Sequence, residues 1–215
     1  MFSPLDSHLF PDDCEVFEIV PHSHYVFPIF KNGSTSIRDL NLYPLLHGSE
    51  ISSIQVPISV YLRKPKELFL SGVNSFVQFT KRDNPELDIG TIFHFVNRYP
   101  FLNLHILPQF FWLANLARFT DMPVVLKSME NINEVTPLRL KDHAKPPTDE
   151  FVSQIKKFNW HQLEPYFLLD QLLIDRIGQT VYLDQIIDDL KTQHPETFKV
   201  IFEKTYSIVN VLSKT

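Results

Sequence analysis

Apolar residues fall into short strand-like runs in the first half of this chain and into helical stripes in the second. Tyr25 to Phe30 is a short run of β-prone residues, followed directly by Lys31-Asn32-Gly33-Ser34-Thr35-Ser36 and then by Ile37, Leu40 and Leu42 at roughly helical spacing. The pattern predicts strand, tight loop, helix. From Ile54 to Leu62, the residues Ile54, Val56, Ile58, Val60 and Leu62 alternate with Gln55, Pro57, Ser59 and Tyr61, which predicts a second strand. Pro57 cannot donate to a ladder and argues against a central place for it. Helical spacing resumes at Pro65, with Leu68, Val73, Phe76 and Val77 on one side. Further helices are predicted at Pro85 to Val96 and Gln109 to Phe119, with a short strand from Pro123 to Leu126. Lys141-Asp142-His143-Ala144-Lys145-Pro146-Pro147 is the clearest loop. Beyond it the pattern predicts helices only, at Glu164 to Ile177, Leu183 to Lys191 and Glu196 to Leu212, the last with Pro195 in its first turn. The order β-α-β-α followed by helices indicates an α/β sheet domain finished by a helical C-terminal portion.

Composition narrows the class. A length of 215 residues suits one domain, and 44% hydrophobic with 21% charged residues excludes a disordered or collagen-like chain. A net charge of −5 lacks the basic footprint of a general nucleic-acid binder, while leaving room for a local cationic pocket. Cys14 is the single cysteine, so neither an intrachain disulfide nor a cysteine-rich zinc site is available. The first residues carry acids and prolines where a signal peptide has basic residues and an apolar run. His105, Pro108, Gln109 and Asn115 interrupt the most apolar region before it reaches the roughly 18–20 residues of a spanning helix. The expectation is a soluble protein of a reducing, cytoplasmic compartment. Glycine is scarce, 5 residues against 16 prolines and 19 phenylalanines, so Gly33 and Gly72 draw notice where a ligand would approach the backbone.

The loop from Lys31 to Ser36 has the parts of an anion site. Gly33 permits a tight turn, helix-start N–H groups point outward, Lys31 brings a mobile charge, and Ser34, Thr35 and Ser36 bring hydroxyl donors. The same residues also build ordinary helix caps. The loop lacks the Gly-x-x-x-x-Gly-Lys-Ser/Thr pattern of a Walker A motif.

A second motif follows the second strand, in Val60-Tyr61-Leu62-Arg63-Lys64-Pro65-Lys66-Glu67-Leu68-Phe69-Leu70-Ser71-Gly72. Taken with Phe27-Pro28-Ile29-Phe30 and the loop after it, this segment resembles the two nucleotide-binding motifs of sulfotransferases that use 3′-phosphoadenosine 5′-phosphosulfate, PAPS. The resemblance implies that Lys31, Asn32, Gly33, Ser34, Thr35 and Ser36 hold the 5′-phosphosulfate. It implies equally that Arg63, with Pro65 two residues on and Ser71 eight residues on, holds the 3′-phosphate together with that Ser71. The family often has Asp after the Arg and another basic residue soon after the Pro; Lys64 and then Lys66-Glu67-Leu68 depart from that. Arg63 and Ser71 read without the family are a solvated arginine at a strand edge and a small residue beside Gly72.

Leu104-His105-Ile106-Leu107-Pro108-Gln109 is similar to the His-x-x-Pro-Gln stretch of sulfotransferases that modify carbohydrate hydroxyls. There the His is the general base, and a neutral imidazole suits the removal of a hydroxyl proton near neutral pH. His105 takes that role by resemblance; a His that packs or caps a helix is the plain alternative, and Glu130 or Asp88 are substitute bases. The resemblance covers about residues 22 to 135, the nucleotide-binding core of a single domain, with residues from about 148 to 215 as its helical C-terminal portion. It implies a P-loop-like three-layer sandwich with a mostly parallel central sheet, PAPS as donor, no metal, and an acceptor that is a glycan or small molecule. A nucleotide kinase and a non-catalytic nucleotide-binding or interaction protein of the same fold are the rival readings. Phe110, Phe111 and Trp112 read as core, and the amphipathic C-terminal stripes as core-facing surfaces.

Overall fold

Ile58-Ser59-Val60-Tyr61-Leu62 is a strand in which every residue is buried, which requires cover on both of its faces. In the computed structural model, which describes residues 14–29, 44–99, 106–135 and 147–199, this strand is central. The strands are β1 Glu15–Val20, β2 His24–Phe27, β3 Leu45–His47, β4 Ile58–Leu62, β5 Val124–Ser128 and β6 Thr180–Val181. They form one sheet in the order β3-β1-β2-β4-β5-β6. The helices are α1 Pro65–Asp83, α2 Ile89–Arg98, α3 Gln109–Leu116, α4 Asp149–Lys156, α5 Glu164–Ile174 and α6 Leu183–Gln193.

The sheet is mixed, which corrects the expectation of a mostly parallel one. β2, β4 and β5 run parallel, whereas β1 pairs antiparallel with both β2 and β3, and β6 pairs antiparallel with β5. The physical reason is loop length. Only three residues separate β1 from β2, and a link that short can close only a hairpin. Glu18 braces it by accepting from the His22 N–H at 2.8 Å and the Tyr25 hydroxyl at 2.9 Å, while His22 adopts a positive φ of 57°. The expectation of helices only beyond residue 147 is also corrected. Gly178, at φ 88°, turns the chain so that its N–H reaches the Leu126 carbonyl at 2.8 Å, and the two residues of β6 then join the edge.

Side-chain alternation divides the sheet into two faces. Val16, Tyr25, Phe27, Ile58, Val60, Leu62, Val124 and Leu126 join the large core beneath the helices, and Phe17, Val26 and Tyr61 join a small cluster with Ile132 and Val135 on the other face. α1 begins at Pro65, whose missing N–H costs nothing there, and ends on Lys81 and Arg82, which complement the carboxyl end of the helix dipole. It buries Leu68, Phe69, Val73 and Val77, each contributing about 1.5–3 kcal/mol. Phe69 meets the rings of Phe158, Trp160 and Phe167 at 5.2, 5.8 and 6.1 Å.

Two boundaries move from their expected places. β4 starts at Ile58 because residues Gly48–Ser53 form a 3-10 turn and Pro57 stands just outside the ladder, so the proline does not prevent a central position. α2 starts at Ile89 because the Asp88 carboxylate accepts from the Thr91 N–H at 2.8 Å and caps the helix. α3 is buried all round, Phe110, Phe111 and Trp112 included.

Candidate functional site

β4 and β5 run parallel to Leu62 opposite Ser128, and a pocket of about 320 Å3 opens at their carboxyl ends. Open α/β sheets place ligands at this end, because crossover helices present their N-termini there. Among the described residues, Leu62, Arg63 and Lys64 line it from the end of β4, Glu67 from the first turn of α1, Ser128, Met129 and Glu130 from the end of β5, and Ile174 and Ile177 form an apolar wall. The Lys64 side chain makes no hydrogen bond as N-cap of α1, a helix of 19 residues, so the helix's positive end borders the pocket. Two cationic and two anionic side chains share the lining, and charge balance there is therefore local rather than strongly positive.

Arg63 is anchored through its backbone. Its N–H donates to Gln109 Oε1 at 2.8 Å, and Gln109 Nε2 donates back to the Arg63 carbonyl at 2.8 Å. The side-chain amide thus acts as one more strand residue beyond the end of the β4–β5 ladder. Gln109 is 0% exposed and is itself the first residue of α3. Pro108, the N-cap there, has no side-chain acceptor. Asp170, on α5 and 1% exposed, supplies one from outside: its two oxygens accept from the N–H groups of Gln109 at 3.0 Å and Phe110 at 2.9 Å. Burial pushes the Asp170 carboxyl up to about 6, against the downward pull of those N–H donors.

Of the sequence-predicted residues, Arg63 and Glu130 line this pocket. Ser71 is half-buried on α1, which runs unbroken from Pro65 to Asp83; six residues past Pro65, it lies about 9 Å along the helix axis and does not line the pocket. Gly72 beside it is buried. Lys31, Asn32, Gly33, Ser34, Thr35, Ser36 and His105 lie outside the described residues. Asp88 serves as a cap, and the Thr91 hydroxyl and N–H hold its carboxyl below the usual range. Lys66 sits over the Trp160 ring at 4.5 Å. Sequence reasoning missed Gln109 as the partner of Arg63 and missed Asp170 altogether. A lone acid inside the apolar run Phe167-Leu168-Leu169-Asp170-Gln171-Leu172-Leu173 was the available signal.

Two other polar regions stand apart from this pocket. On the far face of the sheet, Ser59 Oγ lies 3.3 Å from His24 Nε2, and Lys127 donates to Glu134 at 2.7 Å beside Tyr61. Burial, with Lys127 nearby, pushes the His24 imidazole down, and the Lys127 ammonium holds the Glu134 carboxyl low. At the amino ends of the same strands, a second cavity of about 420 Å3 is lined by Ser52, Ile54, Gln55 and the run Arg118 to Met122. Among the described residues, no group of three or more His, Cys, Asp or Glu side chains is placed to hold a metal, and no helix is long and apolar enough to cross a membrane.

Comparison of the chain with protein-family models, with curated proteins and with solved structures finds no match, so the geometry of the pocket and the motifs around it carry the functional reading.

Proposed function

We propose that this protein is a sulfotransferase of P-loop-like fold that moves a sulfuryl group from PAPS to an acceptor hydroxyl, that of a carbohydrate. The observation that carries the reading is the placement of Arg63: at the carboxyl end of a central parallel strand, on the rim of an open pocket, with Pro65 opening a long helix two residues later. A guanidinium there makes forked, charge-assisted bonds to a phosphate, and the adjoining helix N-terminus favours the same charge.

In this reading Arg63 anchors the 3′-phosphate at the pocket rim, while Lys31 and the N–H groups from Gly33 to Ser36 hold the 5′-phosphosulfate. His105 accepts the proton of the acceptor hydroxyl as its oxygen forms a bond to sulfur. The bond from sulfur to the bridging oxygen breaks, and 3′-phosphoadenosine 5′-phosphate leaves with the negative charge stabilised by Lys31. Positioning and electrostatics supply the rate, as they do in phosphoryl transfer.

Titration calorimetry with 3′-phosphoadenosine 5′-phosphate tests the nucleotide site. Arg63→Ala removes charge-assisted bonds of about 1.5–3 kcal/mol, hence roughly a ten- to hundredfold loss of affinity. An unchanged dissociation constant removes Arg63 from the site. Transfer of labelled sulfate to a panel of glycans then tests turnover, and failure across a broad panel leaves a binding protein.

A further inference from the structure

We infer that Gln109 and Asp170 are positioning residues for Arg63: a buried relay from α5, through the first turn of α3, to the end of β4 sets where the guanidinium meets its ligand. The inference rests on the nucleotide-site reading above and adds to it two residues that act through the backbone.

The relay solves a specific problem at the end of β4. The β4–β5 ladder ends at Leu62 opposite Ser128, and α1 begins at Pro65. Arg63 and Lys64 bridge that gap: the Lys64 carbonyl accepts from the Leu68 N–H at 3.0 Å inside the first turn of α1, and Gln109 holds both backbone polar groups of Arg63. Two hydrogen bonds of 2.8 Å to the N–H and the C=O of one residue fix the orientation of its backbone, and so the direction in which its side chain leaves. Only one orientation of the Gln109 amide satisfies both bonds, so the relay has a unique state.

Burying this machinery is costly. A buried glutamine in the first turn of α3 and a buried carboxylate beside it stand where hydrophobic residues would pack without desolvation. Asp170 in turn holds the residue that holds Arg63: by accepting from Gln109 and Phe110, it fixes the start of α3 and thus the root of the Gln109 side chain. The guanidinium is thereby aimed before any ligand arrives, which lowers the ordering cost of binding.

The experiment is titration calorimetry on the full chain with 3′-phosphoadenosine 5′-phosphate and with AMP, which lacks the 3′-phosphate. The proteins are wild type, Arg63→Ala, Gln109→Met, Gln109→Glu, and Arg63→Ala with Gln109→Met. Methionine keeps the volume and removes both bonds; glutamate keeps an acceptor for the Arg63 N–H and loses the donor. Gln109→Met is expected to weaken the 3′-phosphate nucleotide about tenfold and AMP hardly at all. Gln109→Glu should fall between it and wild type, and the double variant should be no weaker than Arg63→Ala alone, because Gln109 acts through Arg63. A Gln109→Met protein that keeps the preference lost in Arg63→Ala overturns the relay and leaves the nucleotide site standing, as does equal weakening of both nucleotides. Should Gln109→Met fail to show a cooperative melt, Gln109→Glu decides on the same criteria. A wild-type protein without preference for the 3′-phosphate overturns the nucleotide reading itself, and the relay's role with it.

Discussion

The two ends of strands β4 and β5 carry cavities of opposite character, and the larger one lies at the end toward which α3 points its carboxyl terminus. At the amino ends, about 420 Å3 is enclosed near Pro57 and Pro123, where α3 has just finished and its dipole presents negative charge. Arg118 there bonds to Asn115 Oδ1 at 3.2 Å, and its guanidinium lies 5.5 Å from the Phe119 ring; Asp121 lines the same space. At the carboxyl ends, about 320 Å3 is bordered by the positive end of α1 and by an arginine whose backbone is fixed from behind. Strand polarity decides between the two ends. Parallel strands joined by crossover helices bring helix N-termini to one end and helix C-termini to the other, whatever the cavity sizes.

The contrast is broken most severely from within the core. Asp170→Ala leaves the Gln109 and Phe110 N–H groups buried without their acceptor, at about 1–3 kcal/mol each, so denaturant unfolding should show a loss of about 2–6 kcal/mol. The loss should depend on pH in a definite direction. Unfolded Asp170 gives up its proton near 3.8 and folded Asp170 near 6, so between those values the folded state binds more protons and this group's contribution to stability falls as pH rises. A difference of about two units corresponds to about 3 kcal/mol across the window. Asp170→Ala should remove that slope, making its deficit larger at pH 4.5 than at pH 7; parallel stability curves for the two proteins would refute the raised proton affinity of folded Asp170.

Arg63→Ala follows with its ten- to hundredfold effect on the carboxyl-end ligand. The smallest effect sharpens the comparison from the other side. Arg118→Ala removes the cation at the amino-end cavity and should change affinity for 3′-phosphoadenosine 5′-phosphate by less than about twofold, the size of an ordinary surface substitution of about 0.5 kcal/mol or less. A tenfold loss in Arg118→Ala would move the anion site to the opposite end of the sheet.

Legibility in the sequence followed the range of the interactions. α1 was readable because Pro65 and the stripe of Leu68, Val73 and Val77 are local signals, and α5 and α6 were readable for the same reason. β3 and β6 were not, since three and two residues carry no periodicity and exist as strands only through their neighbours. β1 was hidden differently: Glu15 and Glu18 broke its apolar run, although Val16 and Phe17 alternate between the two faces of the sheet. Arg63 was marked by its spacing to Pro65, but its partner lies 46 residues away and Asp170 another 61 beyond that. Nothing in the sequence near Gln109 indicates which backbone its amide will meet.

By itself, then, the sequence determined the α/β class, the burial of the α3 aromatics and the presence of a basic strand end before a proline-initiated helix. Each depends on side-chain chemistry within a dozen residues. Tertiary structure alone decided that the sheet is mixed, that Pro57 can precede a central strand, and that the Arg63 backbone is held by a glutamine that a distant carboxylate holds in turn. Those outcomes are pairings between remote segments: a strand's direction is set by the ladder it joins, and a buried polar group's role by the donor or acceptor that folding brings to it.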